Sequence, residues 1–141
     1  MTIQDRSFDE LSAREFHDIV QLRIDVFIVE QDCPYPEIDG RDVEPTTRHV
    51  WTSDDRGVTS YVRVMQDPSE TRIGRVVTRQ DARSQGLSRQ LLDHVLATTV
   101  GPWMLHAQAH LADWYAKAGF VAEGDEFLED DIPHVTMRRP T

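Results

Sequence analysis

A single cysteine, Cys33, in 141 residues leaves no possibility of a disulfide within the chain. Nowhere do eighteen apolar residues run together, which excludes a membrane-spanning helix. The opening MTIQDRSFDE lacks the apolar stretch of a signal peptide, so a soluble, cytoplasmic protein is expected. Positive charge is scarce: 15 basic residues stand against 25 acidic ones, a net charge of −10. Nucleic acid, which binds proteins through Lys and Arg on its phosphates, is therefore not an expected partner. Two nucleotide-binding signatures are also missing. A P-loop needs a lysine followed by Ser or Thr after its last glycine, and a dinucleotide-binding turn needs three spaced glycines. With 39% hydrophobic residues, no repeat and no low-complexity stretch, residues 1–141 read as one globular domain.

What the chain does have is concentrated between Ile73 and Leu96. Ile73-Gly74-Arg75-Val76-Val77-Thr78 is rich in β-branched residues and reads as a strand. Leu87, Leu91, Leu92, Val95 and Leu96 then fall on one face of a helix that starts near Gly86. The polar, glycine-ended segment between them opens the helix with backbone N–H groups that have no carbonyl partner. Such an end attracts anions. Arg72, Arg75, Arg79, Arg83 and Arg89 cluster here, against the acidic character of the whole chain.

The remaining elements follow from pattern. Arg6 to Leu11 is a short strand. Ser12-Ala13-Arg14-Glu15 fits a capping box, with Leu11 and Phe16 as a hydrophobic staple, and the helix it opens should run to about Val29. The proline-rich stretch from Glu30 to Asp42 is a loop. His49–Thr52 and Gly57–Met65 form a hairpin, and Asp67-Pro68-Ser69 turns the chain into the strand at Ile73. After the central helix come a strand at Trp103–Ala107, a short helix at Leu111–Ala118 closed by Gly119, and strands at Phe120–Phe127 and His134–Arg138. Residues Leu128 to Pro133 are read as the loop between the last two.

Two local patterns resemble the GNAT superfamily of acyl-CoA N-acyltransferases. Arg83-Ser84-Gln85-Gly86-Leu87-Ser88 is similar to that family's pyrophosphate loop, with Ser88 departing from the usual Gly or Ala. Trp114-Tyr115-Ala116-Lys117-Ala118-Gly119-Phe120 resembles its Tyr, three residues, Gly-Phe pattern. The ElaA-like branch is suggested by Val26 to Tyr35, Glu37 to Asp42, Arg48-His49, Ala107 to Leu111 and Asp131 to His134. The resemblance implies an α/β (α+β) fold: a mixed, mostly antiparallel sheet, splayed between its fourth and fifth strands and flanked by helices. It further implies that acetyl-CoA, held by Val76, Val77, Arg83, Ser84, Gln85, Gly86, Leu87, Ser88 and Arg89, donates an acyl group directly to an amine acceptor. No metal is implied, and the protein is expected as a monomer or homodimer. The branch itself has no assigned acceptor.

Within that reading Tyr115 is the expected acid toward the CoA sulfur, since a phenol stays protonated at neutral pH. A backbone N–H near Val77 is expected to hold the thioester carbonyl. Glu30 is the first candidate for the base, because a helix C-terminus disfavours a carboxylate and raises its pKa. His49 is the next, with His110 and His134 as further alternatives. A metal site from His106 and His110 lacks a third ligand. Direct transfer in this fold leaves Cys33 without a role as acyl carrier. Glu37, Asp39 and Asp42 make the loop acidic, which would suit a small cationic amine or a peptide amine, although loop charges are also often only solvated. A non-catalytic acyl-CoA-sensing module is the alternative to an enzyme.

Overall fold

The computed structural model describes residues 2–141. The chain opens with strand β1 (Gln4–Ser7), shorter than the strand expected at Arg6 to Leu11. The reason is local. The Ser7 N–H donates to Glu10 Oε1 at 2.8 Å, and Phe8–Glu10 coils into a 3-10 turn. Helix α1 (Ala13–Arg23) starts at the expected capping box: Glu15 N–H donates to Ser12 Oγ at 3.0 Å and Ser12 N–H to Glu15 Oε1 at 2.9 Å.

Instead of running on as one α-helix, the chain widens at Ile24–Glu30 into π-helical turns. Four β-branched residues, Ile24, Val26, Ile28 and Val29, crowd this stretch and weaken regular α geometry. Bonds five residues long, Gln31 N–H to Val26 O and Cys33 N–H to Ile28 O, both 3.1 Å, carry the chain into the loop.

One seven-stranded sheet contains β1, β2 (Arg48–Asp54), β3 (Gly57–Gln66), β4 (Thr71–Thr78), β5 (Trp103–Gln108), β6 (Val121–Glu129) and β7 (Ile132–Arg139), in the order β1-β2-β3-β4-β5-β7-β6. All neighbours are antiparallel except β4 and β5. These two pair only at Thr71↔Trp103 and Arg72↔Met104, then part. The expected splay is present and begins at Ile73. A bulge helps to open it: β4 fits one extra residue opposite β3 between Gly74 and Val77, and Arg75 takes φ 53 there.

Helix α2 (Leu87–Thr98) lies on one face of the sheet, where Leu91, Leu92 and Val95 pack with Val50, Val62, Val64, Ile73 and Leu105. Each such side chain contributes roughly 1.5–3 kcal/mol by leaving water. Helix α3 (Ala112–Ala116), preceded by a 3-10 turn at Ala109–Leu111, is shorter than expected and adds Tyr115 to the same cluster. Helix α1 covers the other face through Ile19 and Leu22, and the π-helical turns through Val26, against Trp51, Tyr61 and Val77. The six residues read as a loop before the last strand are instead a two-residue turn. Asp130 and Asp131 take φ 51 and 62, the left-handed pair that a tight hairpin requires. Among the described residues no helix is long and apolar enough to cross a membrane.

Candidate active site

Where β4 and β5 part, two cavities meet. The first, ≈ 560 Å³, is lined by Val76, Val77 and Thr78 of β4, Trp114 and Tyr115 of α3, and the turn into α2. That turn contributes Arg83, Ser84, Gly86, Leu87, Ser88 and Arg89, so every expected cofactor residue lines this cavity except Gln85. Ser84 and Gly86 both take left-handed backbone, φ 65 and 76, which bends the chain sharply into the helix. The first bond inside α2 is Gln90 N–H to Gly86 O, and no side chain caps the end. The N–H groups of Leu87, Ser88 and Arg89 are thus without a helical carbonyl partner. The Ser88 hydroxyl is 2.5 Å from Thr78 Oγ1 and ties the helix start to the end of β4.

The second cavity, ≈ 260 Å³, lies under the loop after α1. Its walls include Tyr35, Arg72, Arg75, His106, Glu129 and His134. Phe27, Gln31, Val76, Gln108, Leu111 and Tyr115 line both cavities. A larger groove, ≈ 1040 Å³, crosses α1 and the β2–β3 turn, but it contains neither the α2 turn nor Tyr115. The expected cofactor residues and Tyr115 lie in the smaller pair.

At the junction the backbone of β4 supplies a donor. Arg79 N–H donates to Thr59 O at 2.8 Å, so strand alternation turns the N–H of Val77 toward β3 as well. The N–H of Val76 therefore faces the gap, one residue from the position expected. Tyr115 stands across from it, 6% exposed, with Trp114 edge-on at 4.9 Å and Phe120 at 6.1 Å. Its hydroxyl is not one of the sealed, unpartnered side-chain atoms, which among the described residues are Thr47 Oγ1 and Arg63 Nε. Burial pushes the Tyr115 phenol above its ordinary pKa and keeps it protonated.

Two expected bases have partners within the protein. Glu30 accepts from both terminal nitrogens of Arg83 at 2.8 Å, and this pair holds its carboxyl below the usual range. The helix-end effect that was expected to raise it is outweighed by a full charge in contact. His49 is fully enclosed in the core. Its Nδ1 meets Tyr61 Oη at 2.7 Å and its Nε2 meets Asp42 O at 2.9 Å, so neither ring nitrogen is left for a substrate. Burial lowers its pKa.

The acids of the loop are paired too. Arg23 reaches Asp42 at 2.8 Å and Glu37 at 3.4 Å; Arg63 reaches Asp39 at 2.7 Å; Arg75 reaches Glu37 at 2.6 Å. These carboxylates hold the loop onto the sheet and leave little free negative charge to attract a cation. Cys33 lines the second cavity with its S–H toward Asp130 O at 3.0 Å, and burial raises its pKa away from the reactive thiolate.

His110 lines the first cavity and His134 the second. In His134, Nδ1–H donates to Ile132 O at 2.7 Å, and Nε2 lies 3.5 Å from Glu129 Oε2. Arg72, named before only in the arginine cluster, His106, weighed only with His110 for a metal, and Glu129 were not expected on this wall. Strand alternation could have found them: Arg72 shares a face with Gly74, and cross-strand register sets His134 beside Gln108, two residues from His106. Glu129 sat in the misread loop.

A splayed sheet, an uncapped helix mouth at the splay and a buried tyrosine at the junction define an acyl-CoA-dependent transferase. Comparison with known proteins agrees. A model of the acetyltransferase (GNAT) domain matches residues 15–140, and the chain belongs to that family. It is 49% identical over 138 residues to the UPF0039 protein Rv2851c of Mycobacterium tuberculosis (strain ATCC 25618 / H37Rv), a match that covers 93% of this chain and 88% of that protein. Protein ElaA of Escherichia coli (strain K12) is 36% identical over 146 residues, with 96% and 94% covered. The crystal structure of Escherichia coli ElaA superposes with a TM-score of 0.93 at 35% identity over 99% of both chains. An acyl-CoA N-acyltransferase from Pseudomonas aeruginosa gives a TM-score of 0.90 at 39% identity over 98% of both chains. The protein is an acyltransferase of the ElaA-like branch.

Proposed function

We propose that the protein transfers an acetyl group from acetyl-CoA directly to a small amine. The reading rests on one observation: a cavity at the α2 mouth and a second, smaller cavity share Val76 and Tyr115. The pyrophosphate would take the free N–H groups of α2, and the thioester would lie in the gap with its carbonyl on the Val76 N–H. An acceptor entering from the smaller cavity would meet the thioester carbon there. His134, whose Nε2 lies 3.5 Å from Glu129 Oε2, takes the amine proton, and Glu129 stabilises the imidazolium. Tyr115 donates to the departing sulfur. Burial keeps the phenol protonated until the thiolate departs.

A protein that only senses acyl-CoA would share the binding step and not the release of thiol. Acetyl-CoA at about 100 times its dissociation constant stabilises the native state by roughly 2.7 kcal/mol. A melting shift of about 5 °C or more is expected. Gly86→Asp should abolish it, because Gly86 sits at φ 76 and a carboxylate would repel the pyrophosphate. Thiol release with amines then separates enzyme from sensor. No shift with millimolar acetyl-CoA or CoA removes both readings.

A further inference from the structure

Four arginines line the acceptor cavity, Arg41, Arg63, Arg72 and Arg75. Three are neutralised by the protein itself. Arg41 pairs with Asp67 at 2.5 Å and Glu44 at 3.3 Å, Arg63 with Asp39 and Asp42, and Arg75 with Glu37. Arg72 differs: among the described residues it has no carboxylate partner, and its side chain meets His106, Nη2 to Nδ1, at 3.3 Å. A half-buried guanidinium with most of its five donors unused is an incomplete arrangement.

The backbone sets its position. Arg72 is the last β4 residue still paired with β5, so it marks the closed end of the splay. Gly74, two residues on and on the same face, places no side chain between Arg72 and the junction at Val76. Three acids share this wall, and none pairs with Arg72: the Asp130 carboxylate has no ion-pair partner among the described residues, and the other two are engaged elsewhere. Asp39 is held by Arg63 and Arg75, and Glu129 faces His106 Nδ1 at 3.2 Å and His134 Nε2 at 3.5 Å. His106 Nδ1 cannot accept from Arg72 and donate to Glu129 at once. A carboxylate arriving on Arg72 would take over its donors and free that nitrogen to carry a proton toward Glu129.

We infer that the acceptor, on the acyltransfer reading above, is an amino carboxylate of the amino-acid type. Its carboxylate is forked on Arg72, the planar pairing a guanidinium favours. Its amine points to the junction of the cavities. There the C–N bond forms and the C–S bond breaks; the amine proton goes to His134 and the thiolate is protonated, giving an N-acetyl amino acid and CoA. A cavity of ≈ 260 Å³ suits an acceptor of this size.

The test is a matched acceptor panel with the intact protein and acetyl-CoA: L-phenylalanine, L-phenylalaninamide and 2-phenylethylamine, the same three forms built on other side chains, and β-alanine and 4-aminobutyrate for spacing. Thiol release should favour the carboxylates, and Arg72→Gln should raise their KM by about 10- to 100-fold, the loss of a charged hydrogen-bonded pair. Arg72→Lys should restore part of it, and both variants should keep the melting shift with acetyl-CoA. Amides and plain amines turned over as well as the acids, or an Arg72→Gln enzyme with unchanged KM for the acids, would overturn the assignment. If no amine releases thiol, calorimetric titration of the CoA-loaded protein with the same acids decides it. Binding lost in Arg72→Gln supports the carboxylate site even though the acyltransfer reading has then failed, and no Arg72-dependent binding overturns the site.

Discussion

Two groups of arginines lie within a few strands of each other and behave in opposite ways. Arg23, Arg63 and Arg75 meet Glu37, Asp39 and Asp42 in a closed ionic cluster beneath the loop. Arg23 and Asp42 are entirely buried, and Tyr61 closes over Arg23 with 5.6 Å between guanidinium and ring centre. Around the splay, by contrast, Arg72 has a histidine for a neighbour and Arg83 is held by one exposed carboxylate. In the first cluster every guanidinium meets a carboxylate, although Arg63 Nε is left without a partner; in the second, Arg72 meets none. The partner of a charge, more than its presence in the sequence, separates a scaffold from a site.

The largest effect should come from breaking the closed cluster. Asp42→Ala leaves Arg23 and Arg63 in the core short of a counterion, which costs about 3–5 kcal/mol. The melting temperature should fall by roughly 10 °C or more in a thermal scan. Burial alone would raise the Asp42 pKa, but Arg23 and Arg63 reverse this and hold it below the ordinary value. A lowered carboxyl pKa contributes stability that is present above its unfolded value and lost as pH falls through the lowered one. Wild type should therefore lose its advantage over Asp42→Ala only in acid. A loss under about 1 kcal/mol at neutral pH would show that the cluster is not a scaffold.

Next in size is the chemistry at the junction. Tyr115→Phe removes one donor and almost no volume, so the acetyl-CoA melting shift should persist. Turnover in the thiol-release assay should fall about 10²-fold, the lower part of the range for a positioned acid or base, because a thiolate already leaves fairly well. Thioesters with more acidic leaving thiols should recover part of that loss. Wild-type turnover would make Tyr115 a packing residue between Trp114 and Phe120, and the donor at the open site would have to be sought elsewhere.

How far the sequence could anticipate this contrast depended on the range of the interaction. The capping box at Ser12 and Glu15, the apolar face of α2 and the Gly86 turn are set within a few residues, and all were legible. The loop at Arg83 to Ser88 and the Tyr115 segment were legible through their family resemblance. What failed was long-range pairing. Asp42 is 19 residues from Arg23 and Glu30 is 53 from Arg83, so nothing near these acids in sequence announces the arginine that occupies them. His49 likewise looked available until Asp42 and Tyr61 were brought to its two ring nitrogens by folding. Glu129 was hidden by the Asp130-Asp131 turn, since aspartate is not the residue most expected at left-handed backbone.

The smallest expected effect tests the ion pair at the donor cavity, Glu30 with Arg83. Glu30 is about one-third exposed, and an ion pair so placed contributes about 0.2–1 kcal/mol. Glu30→Gln should thus change the melting temperature little. Its pKa is depressed by Arg83, so even this small contribution exists above the ordinary carboxyl range and disappears as pH falls below it. Across pH 6 to 9 the group stays ionised and cannot shape the pH profile of turnover. Its effect should instead appear in cofactor affinity. Arg83 lines the donor cavity, and Glu30 both occupies its donors and places a negative charge beside the expected pyrophosphate. Removing that charge should lower the KM for acetyl-CoA by about two- to fivefold at low salt, with the gain shrinking as salt screens it. A fall in kcat that deepens toward low pH, with KM unchanged, would return the role of base to Glu30. The ion pair would then be the resting state of a catalytic carboxylate, not a placeholder for the cofactor.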